Sequence, residues 1–218
     1  MSSNTFSQDS TSTQAKVLPK VRLSFSGGWS YRTINIFNQL PTNLKNDIEG
    51  LKTDFDITAG FNFFFHQKYG IGVTFNKFFA SNRKPKITIT IGSSGNTYTD
   101  KESTYTITFF GPIFLKRHRF ANGKAQFIAE LGAGYLGYKD DNQFRNVTLN
   151  LNSSTLGFLV SLGFDLKVTR NFTLGTTFKF IGGSTDETEV YSDGEKFKLP
   201  AKESFNRISI NGGVGFEF

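Results

Sequence analysis

The 218-residue chain contains no cysteine, one methionine, two histidines and five prolines. Without cysteine there are no disulfides and no thiolate metal sites. No apolar run approaches the roughly 18 residues of a membrane-spanning helix; the densest patch is Phe61 to Phe65. The net charge is +7, yet the basic residues are scattered with no Lys/Arg cluster, so no nucleic-acid partner is expected. The start, Met1 to Gln8, has neither the basic stretch nor the apolar core of a complete signal peptide. Residues up to about Lys20 are rich in Ser, Thr and Gln and are expected to be disordered.

What the chain has instead is phenylalanine and glycine, 26 and 22 residues, under a mean hydropathy of −0.29. They fall in period-two runs, the signature of a strand with one apolar face. From Val21 to Arg32, Val21, Leu23, Phe25, Trp29 and Tyr31 alternate with Arg22, Ser24, Ser26, Ser30 and Arg32. The last stretch does the same, with Ile208, Ile210, Val214, Phe216 and Phe218 opposite Arg207, Ser209, Asn211 and Glu217. Similar runs cover 55–66, 71–80, 105–116, 126–135, 155–167 and 172–181. In the run at 105–116 the apolar face is read as Tyr105, Ile107, Phe109, Ile113 and Leu115, placing Lys116 on the inner side. Pro112 implies a bulge or broken pairing there. Lys77 interrupts an apolar face and implies either a snorkelling side chain or a bulge.

These are eight amphipathic strands. Long connections near 33–53, 81–103, 139–153 and 182–203 alternate with short ones near 67–70, 118–124 and 169–171. The first long one holds Leu40, Leu44, Ile48 and Leu51 at helical spacing, 81–103 reads as a hairpin extension turning at Gly92 to Gly95, 139–153 reads as a polar loop, and the last implies a hairpin around Ser192 to Glu195. An interior of about eight strands is narrow. Phe, Leu and Ile at every inward position would overfill it, so the bulky apolar face should point outward, where only lipid accepts it. The expected fold is all-β: an eight-stranded antiparallel up-and-down transmembrane β-barrel over 21–218, with short periplasmic turns, long extracellular loops and both termini periplasmic.

The strand 21–32 with its Gly27-Gly28, Phe109 to Ile113, Ala129 to Tyr135 and the closing Gly213 to Phe218 resemble the small outer-membrane β-barrel proteins of Gram-negative bacteria, the OmpA/OmpX type. The segment before Asp9 similarly looks like the tail of a trimmed signal sequence. The resemblance implies residence in the cell outer membrane, contact with its lipid and lipopolysaccharide, and handling by the barrel-assembly machinery. In that family the terminal aromatic strand is the assembly signal; carried over, this is Ile210, Val214, Phe216 and Phe218. No peptidoglycan-binding domain is expected after the barrel.

Some small barrels are enzymes that use histidine at the outer rim. Here His66 and His118 fall at the opposite, short-turn end, so no enzyme and no catalytic residue are expected. Asp140, Asp141, Asp186 and Glu187 lack metal-ligand spacing, and no metal or cofactor is expected. The inward charges Arg22, Arg32, Asp56, Glu130, Asp165, Lys179, Arg207 and Glu217 should form a salt-bridged plug, with Arg22, Asp165 and Glu217 low, Arg32, Asp56 and Arg207 high, and Glu130 and Lys179 between. Apolar residues of the long connections, Ile36, Phe37, Leu40, Leu44, Phe144 and Tyr191, are candidate contacts for another outer-membrane protein. The expected role is structural or interactive, as an accessory subunit of a larger outer-membrane complex; the alternative is a small porin-like channel for ions or small solutes.

Overall fold

The computed structural model describes residues 19–33, 53–90, 96–120, 123–144, 147–185, 188–192, 195–199 and 203–218. The helical spacing at 40–51, with Ile36, Phe37, Leu40 and Leu44, lies outside them. Twelve strands are formed among the described residues: β1 Val21–Arg32, β2 Thr53–Phe63, β3 Tyr69–Thr90, β4 Asn96–Arg119, β5 Ala125–Phe144, β6 Val147–Lys167, β7 Phe172–Gly182, β8 Ser184–Thr185, β9 Thr188–Ser192, β10 Glu195–Leu199, β11 Glu203–Ser204 and β12 Arg207–Glu217. Eight of them, β1 to β7 and β12, pair in sequence, each antiparallel to the next. The ring closes where β12 pairs with β1, from Arg22 opposite Glu217 to Arg32 opposite Arg207. At the short-turn end the Val21 and Phe218 amides each donate to the other residue's carbonyl, at 3.1 and 2.9 Å. Closure leaves the barrel without an open edge.

Alternation fixes which side chains face out. Phe25, Trp29, Phe61, Ile71, Leu131, Leu156, Leu166, Phe178 and Ile210 are all exposed, on the outward positions expected for seven of the eight strands. β4 is the exception. Tyr105, Ile107, Phe109, Ile113 and Leu115 are buried inside the barrel, while Phe110 and Phe114 are exposed outside. Lys116 accordingly faces out and Arg117 faces in. Both faces of β4 carry large apolar groups, so its own pattern leaves the phase open, and register with β3 and β5 sets it. The inward bulk is accommodated by glycine on the neighbour: a Cβ at Gly132 would lie 2.6 Å from Ile113 Cγ2, and one at Gly157 2.8 Å from Leu136 Cβ. Volume is balanced around the ring rather than strand by strand.

Pro112 inserts no residue. Phe110 stands opposite Tyr135 and Ile113 opposite Gly132, the same register on either side, and only the pairing of 111 and 112 with β5 lapses. The β2–β3 register also runs unbroken through Lys77; the shift in β3 lies between Lys84 and Ile87. Lys77 therefore stays on the outer face, its ammonium 4.8 Å from the Phe79 ring centre.

The connections at 81–103, 139–153 and 182–203 are strands over much of their described length, the first as the expected hairpin extension, whose turn at 92–95 lies outside the described residues. β3 and β4 pair out to Thr90 and Asn96, and the stretch read as a polar loop at 139–153 is largely β5–β6 ladder, with Lys139 opposite Asn152. Alternating polar residues are compatible with strands whose two faces both meet water. The hairpin foreseen around 192–195 is β9–β10, and β9 adds to β6 through Leu149–Ser192 to Asn152–Glu189. The result is a barrel with an upright wall of β3, β4, β5, β6, β9 and β10 on one side of its long-loop end. Phe144 and Tyr191 lie in this wall's strands.

Candidate functional site

The barrel interior holds two different fillings. β1, β2, β7 and β12 present mainly polar groups, and β4 and β5 supply most of the buried apolar side chains. Near the short-turn end, Arg22 Nη2 donates to Asp165 Oδ2 at 2.7 Å. Gln126 Nε2 donates to Asp165 Oδ2 at 3.1 Å and to Glu217 Oε1 at 2.7 Å. Glu217 also takes Arg119 at 2.7 Å, with Lys167 at 3.6 Å and Arg117 at 3.7 Å. The Arg117 guanidinium stacks 3.8 Å from the Phe64 ring centre and donates to the carbonyls of Pro19 and Gln67. One carboxylate thus draws on three cations and an amide, the dense satisfaction that makes a buried charge tolerable.

Higher up, the Asp56 carboxylate accepts from Asn76 Nδ2 at 3.0 Å and from Asn211 Nδ2. Arg207 Nη2 donates to Asn76 Oδ1, and Lys179 Nζ donates to Thr58 Oγ1. Glu130, half-buried, lines a cavity of about 40 Å³ together with Arg22, Asp165 and Lys179. Arg32, at the long-loop end, donates to the Ser204 carbonyl at 3.1 Å and lies 4.2 Å from the Tyr105 ring centre. The structure thus brings Arg22, Asp165 and Glu217 into one low cluster and Asp56 and Arg207 into one upper cluster linked through Asn76.

Sequence reasoning missed Arg117, because it rested on the wrong phase of β4. It also missed the asparagines and Gln126 that relay between charges, although Asn211 stood on a polar face. Phe205 was missed as well. It comes from the segment between β11 and β12, is fully buried, and stacks on Tyr138 with ring centres 5.1 Å apart. Its amide donates to the Gly183 carbonyl at 2.9 Å, so this segment is folded into the barrel mouth above Tyr105 and Ile107.

The outer surface carries the other sequence-derived positions. Ile210, Phe216 and Phe218 are exposed and Val214 half-exposed, all on the outer face of β12 or just past its end. The two histidines lie at the short-turn end, where His66 and Tyr69 rings are 5.8 Å apart and His118 and Phe120 rings 5.5 Å apart. With Phe65 and Phe114 they form an aromatic rim, as expected at a membrane–water boundary. Among the described residues no three His, Cys, Asp or Glu side chains gather as metal ligands, and no helix is long and apolar enough to cross a membrane. Above the outward apolar belt, on the wall side, a groove of about 1090 Å³ is lined by Lys77, Thr106, Thr108, Lys139, Asn152 and Ser154, among others.

No family model matches the sequence, and no curated protein matches it. Solved structures do match its shape. The outer membrane protein OprG of Pseudomonas aeruginosa is 12% identical with a TM-score of 0.52, over 92% of this chain and 97% of that one. A major outer membrane protein of Thermus thermophilus is 9% identical with a TM-score of 0.52, over 91% and 99%. The outer membrane protease OmpT of Escherichia coli is 9% identical with a TM-score of 0.51, over 77% of this chain; the match spans 65% of OmpT. These likenesses are of fold. The molecule has the architecture of an integral outer-membrane β-barrel, with a bulky apolar surface turned outward and a filled interior.

Proposed function

We propose that this chain is a closed barrel of the outer membrane with a structural or interaction role, serving as an accessory subunit of a larger outer-membrane complex. The observation that carries this reading is the interior. Salt bridges around Glu217 fill the short-turn end, the Asp56–Asn76–Arg207 cluster fills the middle, and Phe205 with the β4 side chains fills the mouth. What space is left between Arg22 and Lys179 is about 40 Å³, room for no more than about three water molecules. The wall of β3 to β6 with β9 and β10 then offers the surface for a partner. In this reading the short-turn end and both chain ends are periplasmic, the wall is extracellular, and the outer face of β12 from Ile210 to Phe218 is what the assembly machinery engages.

Planar-bilayer recording of the purified barrel tests the plug. The expected result is no steady single-channel current. A steady current that Glu130→Gln alters would sink the plug and favour the alternative, a small channel, while a stoichiometric complex recovered from solubilised membranes would support the accessory role.

A further inference from the structure

We infer that the short-turn end of the barrel is an electropositive docking face for an acidic peptide segment of a periplasmic partner, approached along the barrel axis. The inference rests on the reading that this end is periplasmic. Scattered in the sequence, the basic residues are gathered by the fold. Lys20, Lys68, Lys124 and Arg170 are exposed on the segments that flank or link the strands, and Lys116 is exposed beside them on the outer face. Arg22, Arg117, Arg119 and Lys167 lie inside. Against these nine stand two side-chain carboxylates, Asp165 and Glu217, both buried, and the terminal carboxylate of Phe218. The side-chain difference equals the whole net charge of +7, so cations and carboxylates balance over the rest of the chain.

Where this surplus sits decides what can use it. Asp165 is taken by Arg22 at 2.7 Å, while Glu217 is shared by Arg117, Arg119 and Lys167 at 3.7, 2.7 and 3.6 Å. One carboxylate against three cations leaves the centre of this end positive. The Arg119 and Lys167 side chains point inward and are 17% and 22% exposed, so solvent reaches them through the open end and not across the lipid-facing wall. Phosphates of the surrounding bilayer lie outside that wall; a soluble acidic chain can enter from the axis. Around the opening, Lys20 precedes β1, Lys68 lies between β2 and β3, Lys124 between β4 and β5, and Arg170 between β6 and β7. Every second strand junction thus carries one cation. Three of them are fixed through their own backbone, because the carbonyls of Lys20, Lys68 and Lys124 accept from the amides of Phe64, Arg117 and Lys167, each at 2.7 Å. The ring is set before a partner arrives, which keeps the ordering cost of a multivalent contact low. A contact made by such point charges forms fast and weakens with salt.

The test titrates a synthetic peptide of alternating glutamate and glycine onto the barrel in phosphatidylcholine nanodiscs. Each exposed ion pair is worth about two- to threefold in affinity, so Lys68→Gln with Lys124→Gln and Arg170→Gln should weaken binding roughly tenfold. Lys116→Gln, on the lipid side, and Lys77→Gln with Lys139→Gln, at the other end, should leave it unchanged. Equal binding by the triple variant overturns the face, as does equal binding of the same peptide with glutamine in place of glutamate. Full competition by inorganic phosphate would reduce it to a free-anion site, and loss of peptide binding once phosphatidylglycerol is added to the nanodisc would assign the cations to bilayer headgroups; either result overturns the proposal. Orientation is read separately: the chain has no cysteine, so Ser184→Cys introduces a single thiol at the long-loop end. A membrane-impermeant maleimide should label it on intact cells. Failure of labelling removes the periplasmic assignment, and the periplasmic partner with it, whatever the nanodisc affinities are.

Discussion

At the scale of single residues, Glu217 is the carboxylate on which the short-turn end depends. Its side chain is 1% exposed and faces Arg117, Arg119 and Lys167, all within 4 Å. Glu217→Gln keeps the shape and the hydrogen bond to Gln126 but leaves buried guanidinium groups without their counter-charge. A loss of about 3–5 kcal/mol is expected for breaking a buried pair in this way. Asp141→Asn breaks an exposed bridge of 2.8 Å and should cost less than about 1 kcal/mol. Urea titration of folding into vesicles, followed by heat-modifiable gel mobility, measures both. Equal losses for the two variants would mean that the low cluster is hydrated and not a plug. Glu217 was legible in the sequence as an inward position at a strand end. Its partners were less so, because Arg117 and Arg119 come from the strand whose phase its own residues do not define.

β4 is the element on which strand-by-strand reading fails. For β1, β6 and β12 one face is small or polar and the other bulky, so period two alone assigns inside and outside. On β4, Phe109 and Phe110 are adjacent, and either phase puts aromatic rings on both faces. The deciding information sits on β5, in Gly132, which vacates the space that the Ile113 side chain occupies. Pairing across strands is therefore part of the code, and a single-strand pattern does not carry it. In the cysteine-free chain, Phe110→Cys carrying a nitroxide should be relaxed strongly by lipid-soluble oxygen, and Phe109→Cys should not be. The opposite ranking would restore the phase that alternation by itself had favoured. The same reasoning explains the wall: 81–103 and 139–153 are largely polar, so their strand character comes from hydrogen bonding to neighbours more than from a hydrophobic face.

At the scale of the whole molecule, strand length decides where the membrane sits. β1, β2, β7 and β12 have 11 or 12 residues. At ~3.3 Å per residue and a tilt of about 40° this spans roughly 28 Å, close to the ~25 Å apolar band of outer-membrane barrels. β3 to β6 have 20 to 24 residues, so about ten residues of each rise beyond the band, by roughly 25 Å at the same tilt. The short strands thus fix the level of the bilayer, and the long ones carry the groove and the wall clear of it. The single tryptophan reports that level. Trp29 is 53% exposed on the outer face, three residues from the end of β1 and opposite Ile210 and Phe55, which places it just inside the long-loop boundary. In vesicles its emission should be blue-shifted and quenched more by lipids brominated near the headgroup than by lipids brominated near the chain ends. Stronger quenching from the chain ends would place Trp29 at mid-bilayer and submerge the row of Lys77 and Thr108 in hydrocarbon. Each cation there would be costly, by about 2–4 kcal/mol at the midplane, and that cost, with the level of the four short strands, sets the expected ranking.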